Sequence, residues 1–260
     1  MKYTEHARII GHESIGKDIW VLSLHAPQIA PNAKPGQFVM LQLDRPDLLL
    51  PRPMSIMRIE NNDLHMVYQV VGEGTRHIAS LDYMEHYRGK HMTVTGPLGS
   101  GFTIDPTCQK VALVGGGLGT PPLVMLAQHL QGMRVSMDAY LGFRDTPLLV
   151  HRFEDAGAQV QIATDTGSHG HHGNIVDLLR QKAQCYDVIF ACGPKPMLRA
   201  LSQYAKSAGI PCQISLEERM ACGLGTCVGC VIDTTAGKQK ICVDGPVFAS
   251  DTILWPGGDA

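Results

Sequence analysis

The sequence predicts a mixed fold in three parts: a small antiparallel β-barrel over residues 1–99, an α/β domain with a parallel sheet over 100–210, and a short cysteine-bearing segment over 211–260. Three observations predict it. Residues 3–97 read as many short apolar or alternating runs with Gly, Pro, Asn and Asp between them, the texture of an antiparallel barrel. Residues 110–208 alternate buried-looking strands with helix-length periodic stretches, which means a parallel sheet covered on both faces. Residues 217–248 carry four cysteines, Cys222, Cys227, Cys230 and Cys242, in the order C-x4-C-x2-C-x11-C.

In the first part the strand-like runs are 19–24, 38–43, 65–71 and 91–94, and the single helix-length stretch lies around 75–86. In the second part the order is strand 110–114, a glycine turn, helix 123–130, strand 134–142, helix 150–155, strand 159–164, helix 175–181, strand 187–191 and helix 196–208. No internal repeat or low-complexity tract interrupts either part.

Composition excludes several classes. The chain has 260 residues and a formal net charge of −2, with no basic stripe interleaved with aromatics, so a nucleic-acid surface is not expected. No run of about 18 apolar residues is present to span a bilayer, and residues 1–11 contain no apolar core of a secretory signal. The expectation is a cytoplasmic protein in a reducing compartment, where eight cysteines mean metal ligands or buried thiols. Cys108, Cys185 and Cys212 read as small core or surface residues.

The cysteine segment carries the most specific signal. The spacing of Cys222, Cys227 and Cys230 is that of plant-type ferredoxins, which hold a 2Fe–2S cluster with a fourth cysteine from farther along the chain. Three thiolates converging on a small inorganic core require a tight wrap, and Gly223, Gly225 and Gly229 lie where a Cβ would obstruct it. Structural zinc is the alternative, but it usually takes two short C-x2–4-C pairs, and only Cys227/Cys230 make one. Disulfides suit small secreted domains.

The other candidates are turns at strand ends. Gly115, Gly116, Gly117 and Gly119 join a strand to a helix whose first turn carries Pro121, a turn able to face a phosphate with backbone N–H groups. The G-x-G-x-x-G fingerprint cannot be laid on it, and a plain tight turn is the alternative. Cys192 and Gly193 end another strand of the same sheet and should share a crevice with the first turn, with Cys192 either near a nicotinamide or simply buried. Arg52, Pro53, Met54 and Ser55 offer a planar cationic fork and a hydroxyl. Gly74 and Thr75 lie where a strand opens the one barrel helix. Residues 96–102 read as a glycine-rich junction packed against something flat, and His169, His171 and His172 as a solvated loop.

Taken in order, RPMS, YQVVGEGT, GPLGSGF, GGGLGTPP and ACGPKPML resemble the ferredoxin–NADP reductase superfamily. SLEERMACGLGTCVGC with ICVDGPVF is similar to one branch of it, the electron-transfer subunits of NAD-dependent dihydroorotate dehydrogenases. The resemblance covers essentially the whole chain. It implies an FAD-binding barrel, an NAD-binding α/β domain and a 2Fe–2S segment. It implies that Arg52 to Ser55 hold FAD at its pyrophosphate and isoalloxazine, that Tyr68, Gln69 and Val70 line the flavin, and that Gly74 and Thr75 hold its phosphate side. Relatives often carry a basic residue where Gln69 stands. The four cysteines would ligate the cluster.

The implied function is an electron-transfer subunit. It would take electrons from a partner FMN-containing dihydroorotate dehydrogenase catalytic subunit, through 2Fe–2S and FAD, to NAD⁺, in pyrimidine biosynthesis, as a heterotetramer of two of each chain. Val247 and Phe248 are expected to supply an apolar contact patch for that partner. Two alternatives stand beside it: an NAD(P)H-dependent ferredoxin or sulfide oxidoreductase subunit, and a zinc-stabilised nucleotide-binding regulator. Arg144 is a candidate contact for a 2′-phosphate, so NAD against NADP is open.

Overall fold

A single strand of 14 residues, β1 (Tyr3–Gly16), runs through the first domain and pairs on both sides. The computed structural model describes residues 1–81, 90–182 and 184–256. Six further strands join β1: β2 (Ile19–His25), β3 (Phe38–Gln42), β4 (Arg52–Ser55), β5 (Arg58–Glu60), β6 (Asp63–Gln69) and β7 (His91–Leu98). The antiparallel sheet has the order β4-β3-β7-β1-β2-β6-β5. Its two edges belong to one continuous stretch, since β4 and β5 are separated only by Ile56 and Met57. The Ile56 N–H donates to the Gln37 carbonyl at 3.2 Å and the Met57 N–H to that of His65 at 2.9 Å, so this stretch closes the sheet into the expected barrel. Leu64, Met66 and Tyr68 alternate inward on β6, as a barrel strand requires. Helix α1 (Glu73–Ala79) follows; the expected helix extent past Leu81 falls partly on 82–89, outside the described residues.

The second sheet is built on β8 (Lys110–Gly116), β9 (Ser136–Phe143), β10 (Gln159–Thr164), β11 (His171–His172), β12 (Val188–Cys192), β13 (Cys212–Ser215) and β16 (Val247–Ala249). Its order is β11-β10-β9-β8-β12-β13-β16, parallel except for the last pair. The sequence direction reverses between β8 and β12, and ligands of open α/β sheets bind at such a reversal. β8 and β12 are buried almost throughout, as strands covered on both faces must be. The helices are α2 (Thr120–Gly132), α3 (Val150–Asp155), α4 (Ile175–Lys182) and α5 (Lys195–Ala208). α5 buries Leu198, Leu201, Ser202 and Ala205, one stripe at helical spacing, and stops at Gly209 with φ 67°.

The C-terminal segment contributes a hairpin, β14 (Val231–Thr234) with β15 (Gly237–Lys240), and then β16, which lies antiparallel on β13. This overturns one expectation. Val247 and Phe248 are 9 % and 7 % exposed, sequestered by that pairing, and supply no contact patch. One apolar body runs through all three parts, from Phe38, Met40 and Leu98 through Val114 and Ile189 to Cys230, Ile241, Cys242 and Phe248. The junction 96–102 packs on protein backbone: Gly99 approaches the Gly245 carbonyl, to which the Ser100 N–H donates at 2.6 Å.

Candidate flavin cleft and cysteine loop

A cleft of about 360 Å³ opens where the three parts meet. The barrel supplies Phe38, Arg52, Pro53, Met54, Ser55, Val67, Tyr68, Gln69, Val71 and Thr75. The α/β domain supplies Leu118, Pro121 and Pro122, and the chain leading to the cysteines supplies Ser215, Leu216, Glu217, Glu218 and Met220. Seven of the residues singled out in the sequence thus meet here, Arg52 to Ser55, Tyr68, Gln69 and Thr75. Val70 and Gly74 do not line the cleft. Gly74 lies under the Arg52 guanidinium, where any Cβ would collide with it, and Arg52 is also bonded to the Leu50 carbonyl. The Thr75 hydroxyl accepts from the Val71 and Gly72 N–H groups at 2.9 and 3.1 Å and donates to the Gly72 carbonyl at 3.0 Å. Thr75 therefore shapes the turn beside the arginine.

Gly115 and Cys192 are register partners at the carboxyl ends of β8 and β12, so the two turns do share one crevice. Their glycines differ in purpose. A Cβ on Gly115 would meet Thr120, one on Gly116 the Met197 thioether, one on Gly119 the Cys192 carbonyl, and one on Gly193 again Met197. Only Gly117, with φ 52°, faces open space. Cys192 is 1 % exposed, and burial pushes its thiol far above the ordinary range, with the Glu217 charge adding to it. It remains a neutral thiol at physiological pH.

Sequence reasoning missed Glu217 and its neighbours. Glu217 keeps contact with solvent inside the cleft, yet the protein surrounding it raises its carboxyl above the usual range by desolvation. Two consecutive acids ahead of the cysteines were the available signal. Glu218 is ion-paired with Lys195 at the start of α5.

The four cysteines form two pairs. The Cys222 sulfur accepts from the Leu224 and Cys227 N–H groups, each at 3.4 Å, and the Thr226 side chain with these bonds brings its pKa down to about 5. Cys242 is held near Cys230, and burial together with that neighbour pushes it up to about 11. Among the described residues no three Cys, His, Asp or Glu converge on a single ion. Two cysteine pairs with backbone donors aimed at sulfur fit a two-iron cluster better than one tetrahedral zinc. All eight cysteines are free of disulfides. Gly223 and Gly225 adopt φ 67° and 85° as the wrap requires. Gly229 does not: a Cβ there would meet only ordinary contacts, the nearest at 3.7 Å. The loop exposes Leu224, Val228 and Val243 at 47, 76 and 43 %. The solvated loop expected for the three histidines holds only for exposed His169: His171 and His172 form the edge strand β11, paired with Ala163 and Thr164 of β10, with His171 half-buried and His172 exposed.

Residues 217–254 match the family model described as the iron-sulfur cluster binding domain of dihydroorotate dehydrogenase B. A dihydroorotate dehydrogenase B (NAD(+)) electron transfer subunit from Geobacillus sp. (strain WCH70) is 37 % identical over 98 % of this chain and 100 % of its own length. The chain belongs to that family. A subunit of the same description from Caldanaerobacter subterraneus subsp. tengcongensis is 34 % identical over 98 % of the chain and all of its own length. Dihydroorotate dehydrogenase B electron transfer subunits serve an NAD-dependent oxidoreductase, and this chain is accordingly an oxidoreductase subunit. The solved NADH-dependent reduced ferredoxin–NADP oxidoreductase, described as a flavin-based electron bifurcation system, superposes with a TM-score of 0.87 at 26 % identity, over 96 % of this chain and 90 % of that one. The ferredoxin reductase of carbazole 1,9a-dioxygenase, at 20 % identity and a TM-score of 0.67, shares the fold. No helix among the described residues is long and apolar enough to cross a membrane.

Proposed function

We propose that this chain passes electrons from the FMN of a dihydroorotate dehydrogenase catalytic subunit, by way of a 2Fe–2S cluster and FAD, to NAD⁺ in pyrimidine biosynthesis. One observation carries the reading: a continuous stretch, Ser215 to Cys222, forms a wall of the cleft and then the first thiolate of the cysteine loop. Bound there, a cluster supplies one-electron carriage and a flavin exchanges single electrons for the pair a nicotinamide accepts as hydride.

The residues divide that work. Arg52, braced by Gly74 and the Leu50 carbonyl, presents its fork to a pyrophosphate. Pro53, Met54 and Ser55 would run beside the ring, with Tyr68 and Gln69 at the end of β6 across the cleft and Val70 next along the chain. Gly74 and Thr75 form the phosphate side. Gly115, Gly116, Gly117 and Gly119, with Cys192 and Gly193, would frame the nicotinamide nucleotide, with Gly117 the glycine of the turn left open to it. Cys222, Cys227, Cys230 and Cys242 would hold the cluster through their four thiolates.

The partner docks over Leu224, Val228 and Val243, which are exposed and apolar beside the loop, in a cytoplasmic heterotetramer of two of each chain. The test is to assay the chain alone and with its partner. Alone it should oxidise NADH with a dye and leave dihydroorotate untouched; Val228→Asp should abolish partner co-purification and leave the dye reaction intact. Orotate formation from dihydroorotate and NAD⁺ by the chain alone, free of partner by mass spectrometry, would sink the reading. A ferredoxin-reducing role is the second reading, favoured by the likeness to the bifurcating oxidoreductase. NADH-driven reduction of ferredoxin at a rate matching that with the partner enzyme would select it.

A further inference from the structure

Three aromatic side chains from three strands meet behind the cleft. His12 comes from β1, Trp20 from β2 and Tyr68 from β6, with Trp20 and Tyr68 directly opposite in register. The His12 ring stacks on Trp20 with centroids 4.8 Å apart and planes at 25°. It lies nearly parallel to Tyr68, 6.0 Å away. A hydrogen bond of 2.8 Å joins His12 Nε2 to the Tyr68 hydroxyl. His12 and Tyr68 are 6 % and 4 % exposed. A buried imidazole beside a buried phenol needs such a bond, since either polar atom left alone loses its hydration without replacement.

Tyr68 lines the cleft and His12 does not. The phenol therefore offers its ring to whatever fills the cleft, while its hydroxyl is engaged on a residue outside it. We propose that His12 is a positioning residue for the flavin, acting through Tyr68: in the tautomer whose Nε2 accepts, it holds the phenol O–H, the donor of that side chain, turned away from the cofactor. The inference rests on the reading of this cleft as the flavin site.

The consequence is electronic. A hydroxyl donating to the flavin stabilises the electron-rich reduced ring more than the oxidised one, and so raises its potential. With His12 in place Tyr68 contributes packing and no such donor. Replacing His12 by a side chain unable to bond the phenol releases the hydroxyl toward the cleft.

The test is a redox titration of the flavin in the full chain. His12→Phe is expected to shift the flavin midpoint to a more positive value and to alter the visible absorption envelope. His12→Asn, too short to reach the hydroxyl, should do the same and serves if the Phe variant fails to fold. His12→Gln, whose amide can still bond the phenol, should restore the wild-type midpoint. In a Tyr68→Phe background, His12→Phe should add nothing. An unchanged midpoint in both His12→Phe and His12→Asn, or the same shift persisting in the Tyr68→Phe background, would overturn the proposal. Failure of the underlying cleft reading has a separate signature, full FAD occupancy after dilution in Arg52→Ala.

Discussion

Gly119 packs directly against the carbonyl of Cys192, so that the turn after β8 and the turn after β12 are held together with no room for a side chain. Gly117, two residues earlier, touches nothing and stands at φ 52°. The same alanine substitution should therefore fail differently at the two sites. At Gly119 the methyl overlaps backbone, and overpacking of this kind costs about 1–3 kcal/mol, which lowers Tm by several degrees. At Gly117 the cost is the left-handed backbone alone, about 1–2 kcal/mol, but the methyl projects into the crevice. Thermal melts should show the larger loss for Gly119→Ala. Dye-linked kinetics should show a raised KM for NADH in Gly117→Ala with kcat largely kept.

Cys230 is 1 % exposed and pairs with Cys242 at the buried side of the loop. Cys230→Ser should remove the cluster while the barrel stays folded, because the barrel interior is a separate apolar group formed by Ala7, Leu24, Leu41, Met66 and their neighbours. Iron and acid-labile sulfide should both fall to background with FAD still bound. Wild-type iron content would refute the ligand assignment.

Arg52 has its guanidinium clamped between Gly74 and the Leu50 carbonyl. Removing a charge-assisted bond to a pyrophosphate costs about 1.5–3 kcal/mol. Arg52→Ala should thus weaken FAD by roughly one to two orders of magnitude with a much smaller change in Tm. Equilibrium dialysis of the flavin decides it.

Glu217 gives a pH signature. Desolvation by the surrounding cleft raises its carboxyl above the unfolded value of 4.5 although the side chain keeps contact with solvent, so the protonated form is the one the fold prefers. Its contribution to stability is fully present below the unfolded pKa and is lost as pH rises through the folded pKa. At pH 7 the ionised side chain therefore works against folding. In flavin-free protein Glu217→Gln should raise Tm at pH 7, and the gain should shrink toward zero as pH falls to about 4. A gain that is constant across that range would assign it to something other than the charge.

Periodicity carried the α/β domain well. The helix expected over 196–208 is Lys195–Ala208 and that over 175–181 is Ile175–Lys182, because each shows a full apolar stripe over two turns or more. The helix expected over 123–130 begins earlier, at Thr120, since two prolines at its start are compatible with a first turn but break the apolar pattern. β16 was invisible for a different reason. A strand of three residues has no measurable period, and Val247 and Phe248 gave no sign of whether their partner was another protein or β13. The cysteine loop was legible because ligand spacing is local. The cleft was legible only in part: its walls come from stretches as distant as Phe38 and Pro246, and their meeting depends on how two sheets pack. Nothing in the residues around His12 announced its bond to Tyr68, 56 positions away.

The pairing of β16 with β13 also fixes an order of events during synthesis. The ribosome delivers residues 247–249 after the rest of the nucleotide sheet. Until then β13 is a bare edge with unpaired N–H and C=O groups, open to a strand from another molecule. The four cysteines precede β16 in the chain, so their loop is made while that edge is still open.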